Sequence, residues 1–303
     1  MRIDQRNAGA SQTFTAGAAL AYSVDRFYGY CTGANVTGQR VAGTAPNEFA
    51  YRFTGATSVT AIGFGTRLEA TNTQDLAGST ATLSVQLANS LLTTVTWTAF
   101  YANTADAFGT LASPTRTQIA TGTFTVNSTL TTYSTQISIP SAATTGIEIV
   151  FTVGAQTSGT WTIDNVQLES GSSATDLERR PIGTELALCQ RYYEQTGKDK
   201  IYSNFGVGYS YSSTASFILY ALKTTKRTTP TIVTTGTASN YEILYGAASS
   251  ASCNSVPSIN STNSSPDVAF IETSVASGLT VGQAVFLRAG GTSSSFLGFS
   301  AEL

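Results

Sequence analysis

Histidine is absent from all 303 residues. Its absence removes the usual general base of Ser/His and Cys/His nucleophile pairs, and with it every His-containing zinc site. Charge is almost as scarce: Asp, Glu, Lys and Arg make up 11% of the chain, against about 25% in an ordinary globular protein. The net charge is only -2. Nucleic acid and anionic membranes both need a concentrated basic patch, so neither is expected as a partner. No apolar run approaches the ~18 residues of a membrane-spanning helix; the longest, 217–222, is strand-sized. The three cysteines, Cys31, Cys189 and Cys253, are odd in number and far apart, without C-x-x-C spacing. Buried thiols fit that pattern better than a disulfide framework. Phosphate-loop and dinucleotide motifs are missing too, since Gly63-Phe-Gly65 and Gly206-Val-Gly208 are only fragments within strands. No cofactor is expected.

What remains is Thr, Ser, Ala and Gly carrying apolar residues at period two. Residues 81–87 alternate cleanly, with Leu83, Val85 and Leu87 on one face and Thr82, Ser84 and Gln86 on the other. Residues 94–100 repeat this with Val95, Trp97 and Ala99. Further strands are expected near 22–28, 49–54, 61–68, 124–126, 133–139 and 147–153. Turn signals at Asn72, Asn103, Pro114, Asn127, Pro140 and Gly154 separate many of them. Short strands about a dozen residues apart, without helical periodicity, predict a β-sandwich or jelly roll over 21–170. Trp97 and Trp161 read as core. On the closing strand Trp161 and Ile163 share one face while Val166 and Leu168 share the other. One face stays buried across that switch only if an extra residue is accommodated, which predicts a β-bulge near Asp164–Asn165.

Eleven of the 34 charged side chains lie between Glu169 and Lys200. A charge-dense connector between charge-poor halves predicts a domain boundary. Pro181 bars helix immediately before it, leaving 184–188 for a helical turn and 190–194 for the next strand. The expected organisation is an extended arm over 1–20, the jelly roll over 21–170, a charged hinge over 171–188, and a smaller β-sandwich over 189–303. Strands of that second domain are expected at 201–211, 216–222, 231–234, 241–245, 268–273, 284–289 and 295–302, with a long Ser/Asn-rich surface loop over 249–266. The fold class is thus all-β, an N-terminal jelly-roll β-sandwich plus a smaller C-terminal β-sandwich. Both faces of 217–222 are apolar, so that strand should be covered on both sides, by a second sheet or by another subunit.

Several stretches resemble a widespread set of tailed-bacteriophage and prophage structural proteins. They are Tyr22-Ser-Val-Asp-Arg-Phe27, Thr66-Arg-Leu-Glu69, Trp161-Thr-Ile-Asp-Asn-Val-Gln-Leu-Glu169, Ala174-Thr-Asp-Leu-Glu-Arg-Arg-Pro181 and Glu185-Leu-Ala-Leu-Cys-Gln-Arg-Tyr-Tyr-Glu194. Coverage is broad over 1–195 and thin beyond. Those proteins usually carry Trp where Phe27 stands and Gln where Thr66 stands. The resemblance implies a virion protein whose first domain is a jelly roll like a carbohydrate-binding module. It implies a homotrimer, with the major capsid protein or tail proteins as partners. It also places Asp164 where such modules hold a structural calcium, although one carboxylate is a thin ligand set and bulge-backbone hydrogen bonds are the plainer role.

The N-terminus, Met-Arg-Ile-Asp-Gln-Arg-Asn, has no secretory apolar core. A Thr/Ser-rich, lysine-poor protein made in the host cytoplasm fits the virion surface, with release by lysis. For glycan contact, Tyr28, Tyr30, Phe100 and Tyr101 lie near strand ends, where aromatic platforms meet polar groups. For the hinge, Arg179, Arg180, Glu185, Arg191, Tyr192 and Tyr193 either form a solvated bend or knit domains or subunits together. A glycosidase would need two carboxylates ~5–9 Å apart, with Asp25, Glu48, Glu69, Asp75 and Asp106 as the candidates. Glu69 is expected to pair with Arg67, and no enzymatic activity is expected. A fibre normally carries a stalk, and there are no heptads or collagen triplets. The reading is therefore a capsid decoration (cement) protein, with a short tail fibre or receptor-binding protein as the alternative and a polysaccharide depolymerase as the remote one.

Overall fold

The computed structural model describes residues 1–24, 26–198, 200–246, 249–292 and 294–303. They group into two compact units, Met1–Ile182 with Leu303, and Gly183–Glu302. Asp25 lies outside the described residues.

The first unit begins with β1 (Gln12–Phe14), β2 (Ala21–Tyr22), β3 (Phe27–Thr32), β4 (Val36–Ala42), β5 (Phe49–Thr54) and β6 (Ala61–Leu68). Two short 3₁₀ turns lead to β7 (Thr80–Asn89), β8 (Thr94–Ala102), β9 (Arg116–Thr125), β10 (Thr131–Ser138), β11 (Ile147–Val153) and β12 (Thr160–Ser170). They form two six-stranded sheets, ordered β1-β4-β5-β12-β7-β10 and β2-β3-β6-β11-β8-β9. Both sheets turn their apolar faces into one core, where Phe53, Phe64, Val85, Leu87, Phe151 and Trp161 are inaccessible to solvent. Trp161 stacks on Phe53 with ring centroids 5.5 Å apart, and Trp97 is also buried. This is the jelly-roll sandwich that the alternation predicts.

Residues 1–20 are not a free arm. Turns occupy 5–9, and β1 pairs in register with β4, Phe14 opposite Val36, so Phe14 enters the core. β4 itself carries no apolar alternation to announce it. Its inward position Gly38 is bare because a Cβ there would lie 2.6 Å from Tyr51 Oη.

The expected bulge is present on β12. Its pairing with β7 steps from Asp164↔Gln86 to Gln167↔Ser84, three residues against two. Asn165 takes φ +46°, a left-handed conformation that Asn tolerates better than branched residues. Its amide N–H donates to Asp164 Oδ1 (2.8 Å) and its Nδ2 to Asn47 Oδ1 (3.0 Å). Asn165→Val should therefore lower stability by about 1–3 kcal/mol, whereas Asn165→Gly keeps the backbone and loses only the side-chain bond. Urea titrations of the two variants check the ordering.

After β12, residues 171–181 have no regular structure. Helix α1 (Ile182–Gln190) then starts directly behind Pro181, longer than the single turn expected. Leu188 near its end is 36% exposed. The strand expected at 190–194 begins only at Tyr193, because the helix consumes Gln190.

The second unit contains β13 (Tyr193–Thr196), β14 (Asn204–Ser210), β15 (Ala215–Ala221), β16 (Thr231–Val233) and β17 (Tyr241–Tyr245). It continues with β18 (Ser249–Ser252), β19 (Ser258–Ile259), β20 (Val268–Ser274), β21 (Ala284–Ala289) and β22 (Leu297–Ser300). A three-stranded sheet, β13-β22-β16, accompanies a seven-stranded one, β18-β17-β21-β14-β15-β20-β19. The core between them holds Ile218, Tyr241, Ile243, Ile271, Leu287 and Phe299. The loop expected over 249–266 contains the two edge strands β18 and β19, whose Ser-rich sequence gives no hydrophobic signal. The expectation that both faces of 217–222 are covered fails within one chain. Ile218 is fully buried, whereas Leu219 on the other face is 52% exposed.

Candidate functional site

The two sheets of the first unit differ on their outer sides. On the β1-β4-β5-β12-β7-β10 sheet, period two turns Ala50, Thr82, Ser84 and Asp164 away from the core, yet all four are buried. The chain covers this side with its own segments. Asn47 donates to Gln86 Oε1 (2.7 Å) and accepts from Asn165 and from Arg179 Nη2 (2.5 Å). Thr82 Oγ1 donates to the Gly171 carbonyl, and Gln136 donates to that of Ser172.

The outer side of the β2-β3-β6-β11-β8-β9 sheet is covered at its Arg67 end, where Arg67 donates to the Gly109 (3.3 Å) and Leu303 (2.7 Å) carbonyls. Here period two places Tyr28 and Tyr30 of β3 outward, since Gly29 and Cys31 face the core. Two glycines on β6 make room for the rings: a Cβ at Gly63 would lie 2.1 Å from Tyr30 Cζ, and one at Gly65 2.6 Å from Tyr28 Oη. Across the sheet the register aligns Tyr30, Gly63, Thr152, Thr96 and Thr123 in one row. Tyr28, Gly65, Val150, Thr98 and Thr121 make the next, and Arg67, Glu148, Phe100 and Gln118 the third.

Glu148 is the only carboxylate on the six strands of this sheet and is fully buried. Its Oε1 accepts from Tyr28 Oη (2.6 Å) and Arg67 Nε (2.7 Å), while Oε2 faces the Arg116 guanidinium. Arg116 also lies 4.1 Å over the Phe100 ring. The partner of Arg67 is therefore Glu148, opposite it on β11, and not the expected Glu69. A carboxylate held by a phenol hydroxyl and two guanidinium groups, with no solvent access, acts as a strut.

Of the four aromatic candidates, Tyr28, Tyr30 and Phe100 share this face and Tyr101 does not; it pairs with Ile147 and packs against the core. Tyr28 is fully buried beneath its neighbours, so it supports the face without being able to touch a ligand. Tyr30 and Phe100 are half-buried. Flat aromatic surface beside a field of threonine hydroxyls and the Gln118 amide can stack on the apolar side of a sugar ring and hydrogen-bond its hydroxyls.

Burial pushes the Tyr28 phenol far above the ordinary tyrosine range, with Arg67 and Arg116 opposing. Burial raises Tyr30 as well. A folded-state value above the unfolded one means that stability is intact below the unfolded tyrosine range and drains away as pH climbs past ~10. Absorbance at 295 nm during alkaline titration should show Tyr28 ionising only together with unfolding. A phenolate signal from Tyr28 in the native fold at pH 10 would contradict this.

The remaining candidates have local roles. Asp164 Oδ1 accepts from the bulge amide and lies 3.6 Å from the Met1 amino nitrogen, while burial raises its pKa. Among the described residues, no group of three or more Cys, Asp or Glu could hold a metal ion. Arg179 binds Asn47, and Arg180 pairs with Glu178 (2.8 Å) in solvent. Glu185 sits in the first turn of α1, and the Arg191 carbonyl accepts from the Arg227 amide (3.0 Å). Tyr192 and Tyr193 are 3% exposed, so neither presents a surface to a partner. Of the glycosidase candidates, Asp106 accepts from the Ala70 amide (2.8 Å), Glu69 is buried, and Glu48 and Asp75 are exposed. Cys31, Cys189 and Cys253 are buried and form no disulfide; burial pushes Cys253 up to about 12.

No protein-family model matches the chain, and no curated protein does. Among solved structures it is similar to the enzymatically active domain of tailspike protein 4 from bacteriophage CBA120. The identity is 19%, the coverage 48% of this chain and 19% of that one, and the TM-score 0.34. The chain thus spans about a fifth of that tailspike domain. A family 11 carbohydrate-binding module of the Clostridium thermocellum cellulase Lic26A-Cel5E is 14% identical over 56% of this chain and all of that one, with a TM-score of 0.34. A family 4 carbohydrate-binding module is 14% identical over 56% of this chain and 93% of that one, with a TM-score of 0.35.

Sequence reasoning passed over Glu148 and Arg116. A signal existed for the first: a lone carboxylate inside Ile-Glu-Ile-Val-Phe-Thr-Val, where a buried charge demands a partner. Nothing local marks Arg116.

Proposed function

We propose that this chain is a non-enzymatic bacteriophage virion surface protein, a trimeric capsid decoration protein that stabilises the particle by contact area and meets host glycans through its jelly roll. The virion assignment rests on the ordered sequence resemblance across 161–194. Contact in place of turnover is supported by one observation above the rest. The open sheet face pairs Tyr30 and Phe100 with threonine hydroxyls, and its single carboxylate is locked in a buried cluster. Such a face offers stacking and hydrogen bonds but no second carboxylate for glycoside chemistry. Immunogold labelling of intact particles tests the location. Labels over the head support decoration, labels at the tail tip favour the short tail fibre, and unlabelled particles end the virion reading. A glycan array probed with the full chain tests the face: binding that Tyr30→Ala weakens at least tenfold supports it, and an array without signal removes the glycan role. Cleavage of a host polysaccharide would restore the depolymerase.

A further inference from the structure

The seven-stranded sheet of the second unit is covered on one side only. Its inner side supplies Ile218, Ile243, Ile271 and Leu287 to the core. On its outer side the register aligns Leu244, Phe286, Val207, Leu219 and Phe270 in one unbroken apolar row across five strands. A bulge between Asn204 and Gly206 lets Phe205 point inward while Val207 and Tyr209 point out. Val207 is 51% exposed, Leu219 52% and Phe286 43%. The adjacent row adds Tyr209 and Phe217, with Tyr211 stacked on Phe217 at 4.1 Å and Phe270 at 4.8 Å from the same ring. A contiguous face of this kind is unusual on a monomer.

We propose that this face packs against the same face on other copies of the chain. Two arguments favour a copy over another occupant. The first is area. Seven strands ~4.8 Å apart and on average between five and six residues long present roughly 600 Å², at the lower end of the ~600–1,000 Å² per partner of a standard stable interface. The second is charge. The outward carboxylates are already satisfied within the chain: Glu242 pairs with Arg288 at 2.8 Å, and Glu272 accepts from Asn260 Nδ2 at 2.7 Å. A face without net demand for counter-charge can meet itself, which a symmetric contact requires. A sugar would want free polar groups, and the central row has none. A face that meets itself pairs two copies about a twofold axis, and this contact stands or falls separately from the virion location and from the trimer.

Sedimentation velocity of the full chain at about 20 μM tests it. The expected mass is a multiple of the 31.6 kDa chain. Leu219→Lys with Phe286→Lys should return it to monomer with an unchanged far-UV spectrum. Val281→Lys, 68% exposed in the turn before β21, should leave the multimer intact. Should the double variant misfold, hydroxyl-radical footprinting of the unaltered chain decides: Tyr209, Leu219 and Phe286 protected while Val281 is labelled is the expected result. A monomeric chain at that concentration, in which case the face serves a different protein or ligand, would overturn the proposal. So would a multimer that leaves these side chains labelled or survives the double substitution.

Discussion

Glu148→Ala is expected to lower the unfolding free energy of the first unit by about 3–5 kcal/mol, the usual cost of removing one partner from a buried ionic cluster. The carboxylate has no solvent contact, and it holds Arg67, Arg116 and the Tyr28 hydroxyl together. Without it, two guanidinium groups face each other in a site that water reaches poorly, and a phenol loses its acceptor. Glu148→Gln keeps the shape and one acceptor oxygen but not the charge, and should cost less. Both tryptophans belong to this unit, so indole fluorescence during urea unfolding reports on it selectively. The same substitution should loosen the rings of Tyr28 and Tyr30, so any glycan affinity should fall with it even though Glu148 touches no ligand. A change below 1 kcal/mol would mean that the cluster is solvated and the face not held by it.

What sequence could supply follows from how each residue earns its position. The strands at 49–54, 61–68, 147–153, 241–245 and 284–289 stand where their apolar residues put them, because each turns one side into a core. The bulge at Asn165 was readable for the same reason, since a side-chain register that reverses within a strand has only one local remedy. β4 and the edge strands β18 and β19 were not readable: β4 turns inward a lone Val36 followed by Gly38, and the edge strands bring only Ala251 and Ile259 to the core. The candidate site divides similarly. Period two places Tyr28 and Tyr30 together, but only the register shows that Tyr28 lies buried over Gly65. Arg67 and Glu148 are 81 residues apart, and only the order of β6 and β11 in the sheet makes them neighbours. The adjacent tyrosines Tyr192 and Tyr193 look like a contact motif, yet both are 3% exposed.

Lys226→Met should be nearly as costly in the second unit, again about 3–5 kcal/mol. The Lys226 and Glu194 side chains are both wholly buried, with Nζ 2.7 Å from Oε2. The ammonium also donates to the Gln190 carbonyl, and the carboxylate accepts from Tyr220 Oη (2.9 Å) and the Lys223 amide (3.1 Å). Burial pulls the lysine below its ordinary range while Glu194 pulls it back up, so the pair survives only as a pair. Methionine strands a carboxylate with two donors and no counter-charge. Adding Glu194→Gln removes the stranded charge, and the double variant should recover most of the loss. Hydrogen exchange of peptides covering 193–226, followed by mass spectrometry, measures the loss and its recovery. A double variant no more stable than Lys226→Met alone would mean that packing around the lysine stem, and not the charge, accounts for the loss.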